Sequence, residues 1–261
     1  YARTIASLQA RCRLTHVATQ HPGHAQLPSD VTVVQNWRAL LDAPCDALII
    51  ATPPAPQVQI LEACLQARKP CIVEKPLCLD SATAERLQAL AHASGTPVLV
   101  DHIHLFSPHY LALKQALTRS GEPVRCIVSE GLGLGPFRPQ MSALWDWGPH
   151  EGSLSLDLRN EPPQRVDALG GPAGPDGQPE QVSLRLEFGG GVCAWMHIGR
   201  LSPHKRRTLS VFTETRVYAW DETAPGERLR MAAWSFPQRQ TAALPEPTAW
   251  SLGEIAHHLI L

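Results

Sequence analysis

The first hundred residues alternate between short apolar runs and stretches with helical spacing. Apolar positions fit one helical face over residues 1–11, and a strand follows over 14–19. Residues 31–34 read as a short strand and 37–41 as a short helix. DALIIAT, 46–52, is a continuous apolar run, the pattern of a parallel strand buried on both faces. A helix over 57–68, a strand CIVEK over 71–75, a helix over 81–93 and a strand PVLVDH over 97–102 complete the series. Asp80 or Ser81 can cap the last of these helices and Gly95 ends it. Strands alternating with helices through short connections predict βαβ winding and a parallel sheet.

Past residue 106 the pattern changes. A helix over 107–120 leads to a strand in VRCIVSEG, a Gly/Pro-rich loop GLGLGPFRPQ, and a helix in WDWGPHEGSLSLDL. From Val166 onward, QVSLRLEF, VCAWMHIG, RTLSVFT and TRVYAWD alternate with period two around a GGG turn. The expected fold class is α/β: a Rossmann-like parallel-sheet domain over 1–104, then an α+β domain over 105–261 with a mostly antiparallel open sheet. The final LGEIAHHLIL has the spacing of an amphipathic helix.

Composition narrows the function classes. The chain is 44% hydrophobic and 18% charged with a net charge of -1, without the basic excess of a nucleic-acid binder. No apolar run approaches the roughly 20 residues of a membrane span. The opening YARTIASLQARCR has the arginines of a transit peptide, but its apolar spacing suits an ordinary amphipathic helix. The seven cysteines are scattered, with no CxxC and no zinc-type spacing. They read as reduced thiols in a cytoplasmic protein, and no metal site is expected.

Candidate chemistry starts at VEKPL, 73–77, where a buried strand ends on Glu74, Lys75 and Pro76. Open α/β sheets bind ligands at the C-terminal ends of their strands. A desolvated lysine there can have its pKa lowered and take part in proton transfer; the alternative is a solvated lysine at a turn. Asp146 and His150 are four apart. They share a face if the helix has begun, and flank its cap if Pro149 is its first residue; either way they can meet in one pocket. The alternative is a capping Asp and a packed His. Lys205, Arg206 and Arg207 read as a solvated strand edge, with an anionic substrate or a neighbouring subunit as the other readings.

A dinucleotide domain opens with a strand and a Gly-rich turn. No GxGxxG precedes residue 20, so the sequence reads as trimmed at both ends or as lacking that first strand. Thr19, with Gln20 and His21, stands where a ribose-binding acid is expected. If a nicotinamide cofactor binds, that leans toward NADP or loose selectivity; a chain truly lacking the first strand and its Gly-rich turn would bind none.

Taken in order, ATPPAPQ (51–57), VEKPL (73–77), VDHIHLFSP (100–108) and WDWGPHEGSLSLDL (145–158) resemble the Gfo/Idh/MocA family of NAD(P)-dependent oxidoreductases. LSPHKRRTLSVF and VYAWDE resemble its sheet-domain pattern. The resemblance implies hydride transfer between NAD or NADP and a hydroxyl or keto carbon of a sugar-like substrate. Lys75, Asp146 and His150 would be catalytic. Thr19, Ala51, Thr52, Pro53, Pro54, Gln57, Glu74, Lys75 and Pro76 would border the cofactor, Gln57 standing where the family commonly has His. The Lys75–Pro76 peptide would be cis. By position, His102 and His104 end a strand at the domain boundary and would face the substrate cleft, with a packed or solvated histidine as the other reading of each; Trp145 would stack on a sugar ring or belong to the core. A homodimer or homotetramer through the second-domain sheet is implied, without nucleic-acid or membrane partners. The competing expectations are a cofactor-free lyase or isomerase on the same fold and a non-catalytic binding subunit.

Overall fold

The structure is a computed structural model that describes residues 1–8, 10–21, 27–138 and 141–233. Among the described residues five strands occupy the first part: β1 His16–Ala18, β2 Thr32–Val34, β3 Leu48–Ile50, β4 Cys71–Glu74 and β5 Val98–Asp101. Among the same residues three α-helices belong to it, α1 Ala2–Ser7, α2 Pro54–Gln66 and α3 Ser81–Ser94, and the short helix expected at 37–41 is a 3-10 helix over Trp37–Leu40. Asp80 caps α3 by accepting a 2.7 Å hydrogen bond from the Thr83 amide, and Gly95 closes it in the left-handed conformation. Pro54 is the first residue of α2, which therefore begins three residues before its expected start.

Among the described residues the parallel strands form two ladders, β1–β2 and β3–β4–β5, with no hydrogen-bonded pairing between them. In a doubly wound sheet of order 3-2-1-4-5-6, two such ladders lie on either side of the first strand. Helices α2 and α3 pack on each other and on one face, where Ile50, Ile60, Leu61, Cys64, Leu65, Cys71, Val73 and Leu87 form a core. The other face is open: Ile49 is 36% exposed and Leu99 45%. The expectation of strands buried on both faces is thus corrected, because α2 and α3 cover one face only.

Helix α4, Pro108–Ser120, leads to the second sheet. Its strands are β6 Cys126–Leu134, β7 Arg165–Gly170, β8 Gln181–Glu187, β9 Cys193–Gly199, β10 Leu201–Phe212, β11 Arg216–Asp221 and β12 Leu229–Ala233, in the order β12-β11-β10-β6-β9-β8-β7. All neighbours are antiparallel except β6 and β9. β6 runs on to Leu134, through the first part of the expected glycine-rich loop: Ile127 and Ser129 keep the strand's inward parity and are fully buried. Helix α5, Ala143–Arg159, lies with α4 on the inner face. Tyr110, Leu113 and Leu117 of α4 and Leu154 of α5 meet Ile127, Ala194, Met196, Leu209, Val211 and Trp220 of the sheet there. Each such aliphatic side chain contributes about 1.5–3 kcal/mol by leaving water. The expected C-terminal helix lies outside the described residues.

Candidate active site

The end of β4 and the first turns of α5 meet. β4 stops at Glu74, the Lys75–Pro76 peptide is cis, and Lys75 leaves the parallel sheet toward α5. Its Nζ donates to the Asp146 carbonyl at 2.7 Å and to Asp146 Oδ1 at 3.1 Å, and its side chain is 15% exposed. Pro149 lies inside α5, so the helix has begun well before it. Asp146 and His150 are therefore one turn apart on a single face. Two residues separated by 71 positions from Lys75 or more come to it through that one helix.

His150 is held as a neutral imidazole. Burial first, then the charges of Lys75 and Arg207 and the imidazoles of His104 and His102, push its pKa down to about 2. Its Nδ1 is buried without a hydrogen-bond partner. His104 stands edge-on to it with ring centroids 4.6 Å apart and is itself buried, its pKa lowered to about 3 by burial, Arg207, Lys75 and Lys205. His104 thus packs behind His150, the packed one of its two readings, rather than lining an open cleft. His102 is half-buried, with Nδ1 unpartnered and its pKa lowered chiefly by burial. Trp145, 37% exposed, is one position from Asp146, about 100° around the helix and off the Asp146–His150 face.

Two ion pairs unseen in the sequence frame this group. Arg200, fully buried, donates from Nε and Nη2 to Glu180 at 2.6 and 2.9 Å, and its backbone N–H donates to the Glu180 carbonyl at 2.8 Å. Its Nη1 makes no hydrogen bond and stands 3.9 Å from Asp146 Oδ2, which Arg138 approaches to 3.4 Å. Asp146 therefore faces three cations. Arg207 is not a solvated strand edge: it is 7% exposed, on a strand with neighbours on both sides, and bonds the wholly buried Glu151 at 2.8 Å. Burial raises the Glu151 carboxyl to about 7 against the opposing pull of Arg207. The parity of RTLSVF carried this signal, since Arg207 shares the inward phase of Leu209 and Val211. Nothing local announced Glu180 and Arg200, which meet only through the β8–β9 register.

The residues expected at a cofactor lie at the ends of β1, β3 and β4. Ala51 is exposed after β3, Pro53 precedes α2 without a side-chain cap, and Thr52 Oγ1 is buried with no partner. An orphaned hydroxyl at the end of β3 suits a polar ligand, although Pro54 and Pro56 leave the start of α2 few free N–H groups. Thr19 Oγ1 accepts from the His21 amide at 3.1 Å. Glu74 and Asp101 both accept from the Tyr1 hydroxyl, Glu74 at 3.0 Å. Gln57 differs from its expectation: it is 1% exposed, and its amide donates to the carbonyls of Glu74, Pro76 and Leu77. Burial beneath the turn leaves it no open cofactor face.

Residues 1–102 match the family model described as oxidoreductase family, NAD-binding Rossmann fold. A crystal structure from Magnetospirillum magnetotacticum MS-1, provisionally described as an oxidoreductase, is 34% identical with a TM-score of 0.82, covering 97% of this chain and 80% of that one. The UDP-N-acetylglucosamine 3-dehydrogenase of Acidithiobacillus ferrooxidans is 28% identical over 182 residues, 69% of this chain and 56% of that protein. An inositol 2-dehydrogenase of Mycolicibacterium gilvum is 35% identical over 99 residues, 38% of this chain and 28% of that protein. The chain thus spans little more than half the length, or less, of these two curated relatives. The matched first part, the order of the parallel strands and the full-length structural likeness agree: the chain belongs to the Gfo/Idh/MocA oxidoreductase family.

Proposed function

We propose that this protein is an oxidoreductase that moves a hydride between a nicotinamide dinucleotide and a CH–OH carbon of a sugar-like or cyclitol substrate. The observation that carries the reading is the junction of Lys75 with Asp146, one turn from neutral His150. Names of relatives support the substrate class: an inositol and a UDP-linked sugar dehydrogenase are among them. Thr52 Oγ1, the start of α2 and the turn at Lys75 would hold the cofactor, which supplies the hydride acceptor. NADP use is part of the reading, because Thr19 occupies the place of a ribose-binding acid.

In this reading the chain's residues handle charge and protons. Lys75, tethered to Asp146, points its ammonium at a fixed place and donates a hydrogen bond to the reacting oxygen. His150 offers a lone pair at every pH above its lowered pKa. So low a pKa makes it a weak base at rest. Negative charge developing on the substrate oxygen raises its proton affinity when the proton must be taken. Asp146, fixed by Lys75, Arg138 and Arg200, keeps that ammonium in place.

The same reading divides the chain at residues 104 and 105 into a cofactor and a substrate domain. It places the protein in the cytoplasm and pairs copies through the outer face of the second sheet, where Val128 and Trp195 are 38% and 49% exposed. Titration with NADH and NADPH, followed by calorimetry and nicotinamide fluorescence, tests it. Saturable binding of either is expected; no binding of both would overturn it.

A further inference from the structure

Gln57 sits in the first turn of α2, buried to 1% exposure. Its Nε2 reaches the carbonyl oxygens of Glu74 at 2.9 Å, Pro76 at 2.8 Å and Leu77 at 3.2 Å. Three acceptors share two N–H protons, so one of these bonds is divided. The acceptors flank Lys75 on both sides. Those of Pro76 and Leu77 lie past the end of β4, beyond the parallel ladder. Gln57 Oε1, in turn, is buried without any partner. A leucine or methionine would fill the same volume without that orphan, and buried unpaired oxygens are costly. The side chain is thus poor as plain packing and good as a donor. The one segment that receives its donation carries the lysine that crosses to α5.

We infer that Gln57 is a positioning residue: its amide clamps the turn from Glu74 to Leu77 and so aims Lys75 at Asp146. It touches neither cofactor nor substrate. The inference rests on the proposed role of Lys75, but the clamp has a readout that needs no turnover. Gln57→Met keeps the volume, removes the donor and also removes the orphaned oxygen. Gln57→His returns an N–H to the same place. Gln57→Asn keeps the amide one methylene short, and serves if the methionine variant does not fold.

Brief acetic anhydride labelling with mass spectrometry reads the accessibility of the Lys75 amine, and hydrogen exchange reads the amides of residues 74, 75 and 77. In Gln57→Met, Lys75 labelling and exchange in this turn are expected to rise about tenfold, the scale of one lost buried hydrogen bond. The Lys69 and Lys114 labelling rates should stay unchanged, and Gln57→His should recover most of the protection. If wild type turns over a sugar substrate, kcat falls by a similar factor with KM unmoved. Absence of turnover in wild type would sink the proposed function and leave the labelling result standing. Unchanged Lys75 labelling and exchange in Gln57→Met, or in Gln57→Asn, would overturn the clamp.

Discussion

Lys75 spends both of its hydrogen bonds on one residue, the carbonyl and the carboxylate of Asp146. Removing the ammonium takes away a proton donor and leaves Asp146 facing only Arg138 and Arg200. Lys75→Ala is expected to lower turnover by about 10²–10⁴-fold, the usual worth of a positioned acid or base. A change confined to KM in steady-state kinetics would count against that role. His150→Asn keeps polarity in a smaller side chain and should cost turnover on the same scale. At His150 and His104 the shifts also bear on spectra. With pKa values near 2 and 3, both imidazoles stay neutral at pH 5, where an ordinary histidine is charged. Long-range ¹H–¹⁵N correlations at pH 5 should give neutral-tautomer nitrogen shifts for both; imidazolium shifts would refute the burial argument.

The join of α5 to the second sheet depends on a buried charge and a missing side chain. Glu151 on α5 is wholly buried and answers Arg207 on β10, with Glu222 at 3.2 Å on the other side of the guanidinium. Arg207→Met leaves Glu151 without its cation, and the loss is expected at about 3–5 kcal/mol by urea unfolding, against a smaller loss for Glu151→Gln. Gly131 on β6 makes room for the same carboxylate: a Cβ there would come within 2.6 Å of Glu151 Oε1. Because that oxygen is held by Arg207, it cannot move aside freely. Gly131→Ala should destabilise by about 1–3 kcal/mol; an unchanged unfolding midpoint would show that the helix yields. At this scale the sequence was partly legible. The strand–helix alternation, the Asp80 cap and the change of sheet type at residue 106 all follow from local pattern. β6 was read short because two glycines, Gly131 and Gly133, hide the period of a strand whose burial is set by its neighbours. Gln57 was placed at the cofactor by the resemblance, standing where the family commonly has His, and no local rule tells a buried amide from an exposed one.

Across the whole molecule, histidines and Glu151 pull stability with pH in opposite senses. His102, His104 and His150 have folded pKa values below the ordinary 6.5, so the unfolded chain binds more protons below that pH. Their contribution is complete above pH 6.5 and is lost as pH falls toward the folded values. Glu151 is raised from 4.5 to about 7, so its contribution is present below 4.5 and is lost as pH rises to about 7. Three histidines outweigh one glutamate, and the denaturation midpoint should fall between pH 6.5 and 5; His104→Phe should flatten that fall. A midpoint independent of pH in this window would contradict the burial of the cluster. The parallel winding could be read from the strand–helix alternation and the meeting of Lys75 with Asp146 from four short motifs, whereas the Arg200–Glu180 support needed the sheet register. The central claim is that hydride leaves a CH–OH carbon for a nicotinamide under the control of Lys75 and His150. The most direct measurement offers carbon-deuterated myo-inositol, simple aldoses and UDP-N-acetylglucosamine with NAD and NADP, and weighs the recovered nicotinamide by mass spectrometry. One extra mass unit in the reduced cofactor, lost in Lys75→Ala and His150→Asn, is the predicted result. Substrate consumed without deuterium reaching the cofactor, or label transferred equally by both variants, would contradict it.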